Sequence, residues 1–235
     1  AVLAHSVGLY RAHRAAGMPL PAVATGHSMG FFSALVAAEV VPLEAGLDLI
    51  AATEEEADRR FGAGTMGMAF TIGLREEEVR RRLEAFPELE ISNVNGTAQG
   101  TVSGPRAALE AFVASVRPDC MKADLLPVRH PLHCGLMAPL LPHVKDRLSA
   151  ILPRDPAFPL LSPLDGRTIE GGFEAWEEAV VSIPAAIHWP QVVAAFRAWT
   201  DRGFECGHGR QLAGLTGWLD RGFRVESLQS PRSWA

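Results

Sequence analysis

The chain has 235 residues, 48% hydrophobic and 21% charged, enough to bury a core of ordinary size without disulfide or metal staples. A net charge of −5 and a pI near 5.9 argue against a nucleic-acid binder, which needs a basic face. Three cysteines, Cys120, Cys134 and Cys206, form no closely spaced pair and read as reduced thiols of a cytoplasmic protein, and no stretch is long and apolar enough to span a membrane.

Residues 2–16 are predicted as an amphipathic helix, because Arg11, His13 and Arg14 interrupt the apolar run and argue against a signal peptide; Gly17 and Pro19 stop it. Residues 21–25 then form a short strand into Gly26-His27-Ser28-Met29-Gly30, followed by an apolar helix to about residue 40. A strand turning sharply into a helix lifts its serine to the helix N-terminus, where free N–H groups can hold a developing oxyanion. That is a nucleophile elbow. The five-residue pattern also arises by chance in small-residue turns, and the strand-turn-helix setting favours the catalytic reading. Pro42 opens the next helix, residues 43–61, with Leu43, Leu47, Ile50 and Ala51 expected on its apolar face and Glu54, Glu55 and Glu56 as a solvated edge.

From residue 65 the pattern changes. Strands are expected over 66–72, 89–94, 101–103 and 121–128, helices over 76–86 and 105–116, and a turn at Asn95-Gly96. This β-α-β-β-α-β order predicts a ferredoxin-like subdomain, residues 64–128, set into a larger α/β domain of residues 1–63 and 129–235. A helix over 135–151, proline-spaced loops, a strand at 160–162, a helix over 187–200, a strand at 203–206 and a helix over 211–219 complete the prediction.

A serine nucleophile needs a base. His133 lies beside Pro131 and just ahead of a predicted helix; a lone loop histidine is more often structural, and the elbow earlier in the chain raises it to a candidate. The adjacent Cys134 is an alternative nucleophile, but nothing in the sequence lowers its pKa.

Four ordered motifs carry a resemblance to the malonyl-CoA:acyl carrier protein transacylases and the acyltransferase domains of polyketide synthases. They are Gly26-His27-Ser28-Met29-Gly30 with Ser33-Ala34-Leu35; Ile91-Ser92-Asn93-Val94-Asn95-Gly96 through Val102-Ser103-Gly104; Leu126-Pro127-Val128 through Pro131-Leu132-His133; and Glu205-Cys206-Gly207-His208-Gly209 through Gly214-Leu215. The resemblance implies an α/β-hydrolase-like core with a parallel sheet plus an inserted ferredoxin-like subdomain. It implies that Ser28 attacks an acyl-CoA thioester and His133, oriented by backbone carbonyls, takes its proton. Met29 N–H would be one oxyanion donor, and His27 and His130 would line the substrate pocket. The phosphopantetheine thiol of an acyl carrier protein would accept the acyl group, with acyl-CoA as donor, no tightly bound cofactor and no metal. The arginines Arg75, Arg80, Arg81 and Arg82 offer an edge for an acidic carrier protein, or simply a solvated helix face.

Three positions depart from the family pattern. Thr53 stands where malonyl-specific members carry the arginine that binds the malonate carboxylate, and Ser182 stands in place of a glutamine near the same group. Arg60 is the nearest candidate to replace that arginine, though a solvated role suits it better. The chain as read starts after the Gly-Gln-Gly-Ser loop that supplies the family's second oxyanion donor. These departures leave open a monocarboxylic acyl group, an acyl-carrier-protein hydrolase, or a non-catalytic carrier-protein-binding relative.

Overall fold

The computed structural model describes residues 1–229; the last six residues of the expected 129–235 segment lie outside the described residues. Helix α1 (Val2–Ala15) buries Leu3 and Val7 and ends at Gly17, whose φ of +87° is the left-handed stop expected of that glycine. Helix α2 (Met29–Ala37) is shorter than predicted. It ends in a Schellman motif, with Val40 N–H on Leu35 O and Glu39 N–H on Val36 O. Helix α3 (Leu43–Phe61) has the predicted bounds but a different face inward: Ala45, Leu49, Ala52, Thr53 and Ala57 are buried while Leu47 is 42% exposed. Small residues win that face because the backbone is close-packed there; a Cβ on Gly46 would lie 3.1 Å from Leu3 Cδ2.

Next come β1 (Met66–Ile72), α4 (Glu76–Leu83), β2 (Glu90–Gly96), β3 (Gln99–Pro105), α5 (Arg106–Val116) and β4 (Lys122–Leu125). The strands lie in the order β4-β1-β3-β2, with each of these pairs antiparallel, which is the ferredoxin-like arrangement. Val102 from the sheet and Leu109, Phe112 and Val116 from α5 fill its core, with Phe86 edge-on to Phe112. Gly96 pairs with Gln99 and Asn95 is the residue skipped at a register shift, both within β2, so the reversal falls at Thr97-Ala98 and not at the Asn-Gly signal.

The predicted 135–151 helix is broken. A short 3-10 segment, Gly135–Leu140, precedes α6 (Leu141–Arg147), because Pro139 and Pro142 each remove a backbone donor. The remaining elements are β5 (Leu160–Leu161), β6 (Thr168–Ile169), α7 (Gly172–Val181), β7 (Ile187–His188), α8 (Trp189–Arg197), β8 (Arg202–Glu205), α9 (Gln211–Leu219) and β9 (Arg224–Ser227). The expected 187–200 helix therefore begins as a strand, β7, which joins β2 in parallel as the fifth member of its sheet. Helix α7 and strands β6 and β9 were not predicted.

The chain forms two compact units: one of Ala1–Asp48, Ala150–Ala179 and the chain from Pro190 onward, the other of Leu49–Ser149 and Val180–Trp189. In the first, parallel pairing is short: β8 with β9, and a bridge between Ala24 and Leu160. The second holds the five-stranded sheet. The fold is mixed α/β. No helix among the described residues is long and apolar enough to cross a membrane.

Candidate active site

The strand expected over 21–25 is reduced to a single parallel bridge, Ala24 with Leu160, and in the first unit Ser28 sits between that bridge and the start of α2, with φ 54° and ψ −125°. Left-handed φ is costly for a residue with a Cβ, and such strain persists only where the surroundings over-determine it. They do so here. A Cβ on Gly26 would lie 2.0 Å from the Gly30 carbonyl carbon and 2.3 Å from the Phe31 N, so Gly26 is pressed against the first turn of α2. The same test at Gly30 meets nothing within 4 Å, so of the two flanking glycines only Gly26 is demanded by packing. Phe31 and Leu35 anchor the helix with fully buried side chains, while His27, Ser28 and Met29 remain half-buried. Gly30 N–H bonds His27 O and Phe31 N–H bonds Ser28 O; Met29 N–H has no backbone acceptor among the described residues, as an oxyanion donor requires.

In the second unit, His133 is buried and also has a left-handed backbone, φ 59°. Its N–H bonds Ile183 O, and its Nδ1 lies 2.8 Å from Ser182 O. A carbonyl can only accept, so Nδ1 carries the proton, which in the neutral imidazole leaves the lone pair of a base on Nε2. What Ser182 supplies to the imidazole is thus its main-chain oxygen.

His130 and Thr53 share this unit but not that arrangement. His130, 2% exposed, has Nε2 3.3 Å from Glu54 Oε2 and 3.5 Å from Asp58 Oδ1. These are ion-pair distances without hydrogen-bond geometry. Arg129 reaches the same two carboxylates, at 3.1 and 3.5 Å. The acidic edge of α3 is therefore engaged, Glu55 by Arg147 and Glu56 by Arg59 as well. Glu54 and Asp58, four residues apart and so on one helix face, are the partners that sequence reading missed. Thr53 Oγ1 donates back to Leu49 O at 2.8 Å, and Arg60 is exposed near the end of α3.

Burial pushes the Cys134 thiol up to about 12, and its Sγ points to Pro131 O at 2.9 Å, so it stays protonated and is no nucleophile near neutrality. The basic edge on α4 is largely neutralised: Arg75 pairs with Glu78, Arg80 with Glu76 and Arg82 with Asp119. Arg81 alone of the four has no ion pair among the described residues.

Residues 1–183 match the acyl transferase domain family, and the chain belongs to it. It is 28% identical to the malonyl CoA-acyl carrier protein transacylase of Escherichia coli K12 across all of this chain and 78% of that protein. A stretch covering 63% of the chain is 31% identical to 8% of the non-reducing polyketide synthase pkgA of Emericella nidulans. Among solved structures, an acyl-carrier-protein S-malonyltransferase of Burkholderia pseudomallei superposes with a TM-score of 0.89 at 27% identity, over 99% of this chain and 77% of its own. A type II polyketide acyl-carrier protein in complex with its malonyl-transacylase matches with a TM-score of 0.86 at 25% identity, over 96% of this chain and 74% of that one.

Proposed function

We propose that this chain transfers an acyl group from acyl-CoA to the phosphopantetheine thiol of an acyl carrier protein, through an ester on Ser28. The observation that carries the reading is the strained Ser28 backbone at the start of α2, within a member of the acyl transferase family. Ser28 Oγ attacks the thioester carbonyl as His133 Nε2 takes its proton, and the tetrahedral oxyanion is met by Met29 N–H. The intermediate collapses to the acyl-serine, and the imidazolium protonates the departing CoA thiolate. The carrier thiol then gives its proton to His133 and attacks the ester, and the imidazolium returns that proton to Ser28 Oγ as the C–O bond breaks and the acyl group leaves as the carrier thioester. No tightly bound cofactor is called on.

For the acyl group we infer a monocarboxylic one. Thr53 cannot form the forked ion pair that a malonyl carboxylate asks of an arginine, and its hydroxyl is already spent on Leu49 O. His130 Nε2 lies at ion-pair distance from Glu54 and Asp58, so it is not placed to stand in for that arginine.

Intact-mass measurement after exposure to acetyl-CoA and malonyl-CoA tests both statements. Acetylation of Ser28 is expected to outpace malonylation by about tenfold or more, and the label should pass to holo-carrier protein. Ser28→Ala should abolish it, and His133→Ala should slow it about 10²–10⁴-fold. Malonylation as fast as acetylation would overturn the acyl assignment. Release of free acid outrunning transfer would make the protein a hydrolase, and no adduct with either thioester would remove the catalytic reading.

A further inference from the structure

The extended segment that leads into the nucleophile is held on one side by β5 through the bridge at Ala24. Ala24 N–H bonds Pro159 O at 2.9 Å, Leu161 N–H bonds Ala24 O at 2.9 Å, and Thr25 Oγ1 donates to Leu161 O at 3.0 Å. Only two residues separate Thr25 from the strained Ser28, so the position of β5 is passed directly to the elbow.

What fixes β5 lies at its far end. Ser162, fully buried, closes the β5–β6 hairpin through its main chain, with Ser162 N–H on Arg167 O and Gly166 N–H on Ser162 O. Its hydroxyl accepts from Leu164 N–H at 3.1 Å and donates to Glu178 Oε1. The other carboxylate oxygen, Oε2, accepts from Arg167 Nη2 at 2.6 Å. Glu178, on α7, is 6% exposed, and Arg167 also pairs with Glu174. A buried carboxylate is costly to desolvate, and this one has both oxygens committed to the two ends of one hairpin. No chemistry proposed at Ser28 or His133 uses it.

We propose that Glu178 is a positioning residue for the nucleophile: by clamping Ser162 and Arg167 it sets β5, and β5 sets the bridged segment at Ala24-Thr25 that presents Ser28. Glutamine is nearly the same size but cannot do this. One of its two terminal groups is an NH₂, which would face either the guanidinium donor or Ser162 Oγ, which already accepts from Leu164 and Asp165 N–H and would lose the acceptor for its own hydrogen. The inference rests on Ser28 as nucleophile, so its test has one arm that does not.

Glu178→Gln and Ser162→Ala are compared with Val7→Ala, a core truncation in α1 of the same unit, outside the hairpin. The first readout is the labelling rate of Ser28 by a serine-reactive acyl phosphonate, with kcat and KM for acyl-CoA. The second is amide hydrogen exchange at residues 23–25 and 160–162. Both hairpin variants should lose about ten- to hundredfold in labelling and kcat with KM little changed, and the double variant should lose no more than the worse single. Exchange at the two strands should rise in them and not in Val7→Ala at matched loss of Tm. Unchanged exchange overturns the positioning role whatever Ser28 does, and so does a rate loss matched by Val7→Ala. Failure of wild-type Ser28 to label would instead count against the nucleophile, and the exchange arm would still decide the clamp. Should Glu178→Gln not fold, Ser162→Ala carries both readouts.

Discussion

Two residues of this chain hold a left-handed backbone at the positions that chemistry had already singled out, Ser28 and His133. Sequence could point to both, since glycines around a serine and a histidine after a proline are visible in one dimension. It could not show that Gly26 and Gly30 differ. Gly26 has no room for a methyl group, whereas Gly30 opens onto empty space. Gly26→Ala is therefore expected to cost several kcal/mol, because the clash is with backbone that cannot yield, and to leave little soluble protein. Gly30→Ala should keep the wild-type Tm within a few degrees, as measured by thermal melts, and any loss of activity it causes would reflect the space above the helix and not the fold. Equal destabilisation by the two would contradict the packing. His130 shows the other limit of sequence: its partners, Glu54 and Asp58, stand more than seventy positions away, and only the fold brings them to it.

At the level of elements, periodicity found nearly every helix of the first 120 residues and the whole β-α-β-β-α-β run, because each of those has a strong local signal. It failed where tertiary packing outvoted local pattern. Helix α3 turns its alanines inward and leaves Leu47 exposed, and near its start Gly46 lies so close to Leu3 that only a small residue fits. Strand β7 is two residues long, and pairing with β2 rather than propensity makes it a strand. Helix α2 ends in a way sequence also left unread. Glu39 occupies the left-handed position of its Schellman motif, φ 61°, where glycine is the usual occupant. Glu39→Gly should relieve that strain and, after the entropy glycine adds to the unfolded chain, stabilise the protein by about 0.5–1 kcal/mol. Denaturant titration would read this as a higher midpoint with unchanged slope; a lower midpoint would mean that the glutamate side chain contributes more than its backbone costs.

For the molecule as a whole, the shifted groups give stability a defined pH range. Burial, and next the charge of Arg14, holds the His13 imidazole below its ordinary 6.5. The unfolded chain therefore takes up that proton first, and stability falls as pH drops below about 6.5. Further down, Glu56, Glu78 and Glu174 are held below 4.5 by bonds from the Arg59 side chain, Arg75 N–H and Glu170 N–H respectively. Their contribution is present above 4.5 and is lost as pH falls through their lower folded values, modestly because all three are solvated. On the alkaline side, burial raises Cys134 from 9.0 to about 12 and Cys206 to about 11. Above pH 9 the unfolded thiols ionise while the folded ones do not, so each removes about 1.4 kcal/mol per pH unit. Stability should accordingly be level between about pH 6.5 and 9, which is where activities of variants at Ser28, His133 and Glu178 can be compared without a shifting fold. By pH 10 the two thiols together should cost roughly 2–3 kcal/mol, read as a lower denaturant midpoint. Cys134→Ser combined with Cys206→Ser removes both ionisations and should flatten that limb; an alkaline fall that persists undiminished in the double variant would assign it to groups other than these two thiols.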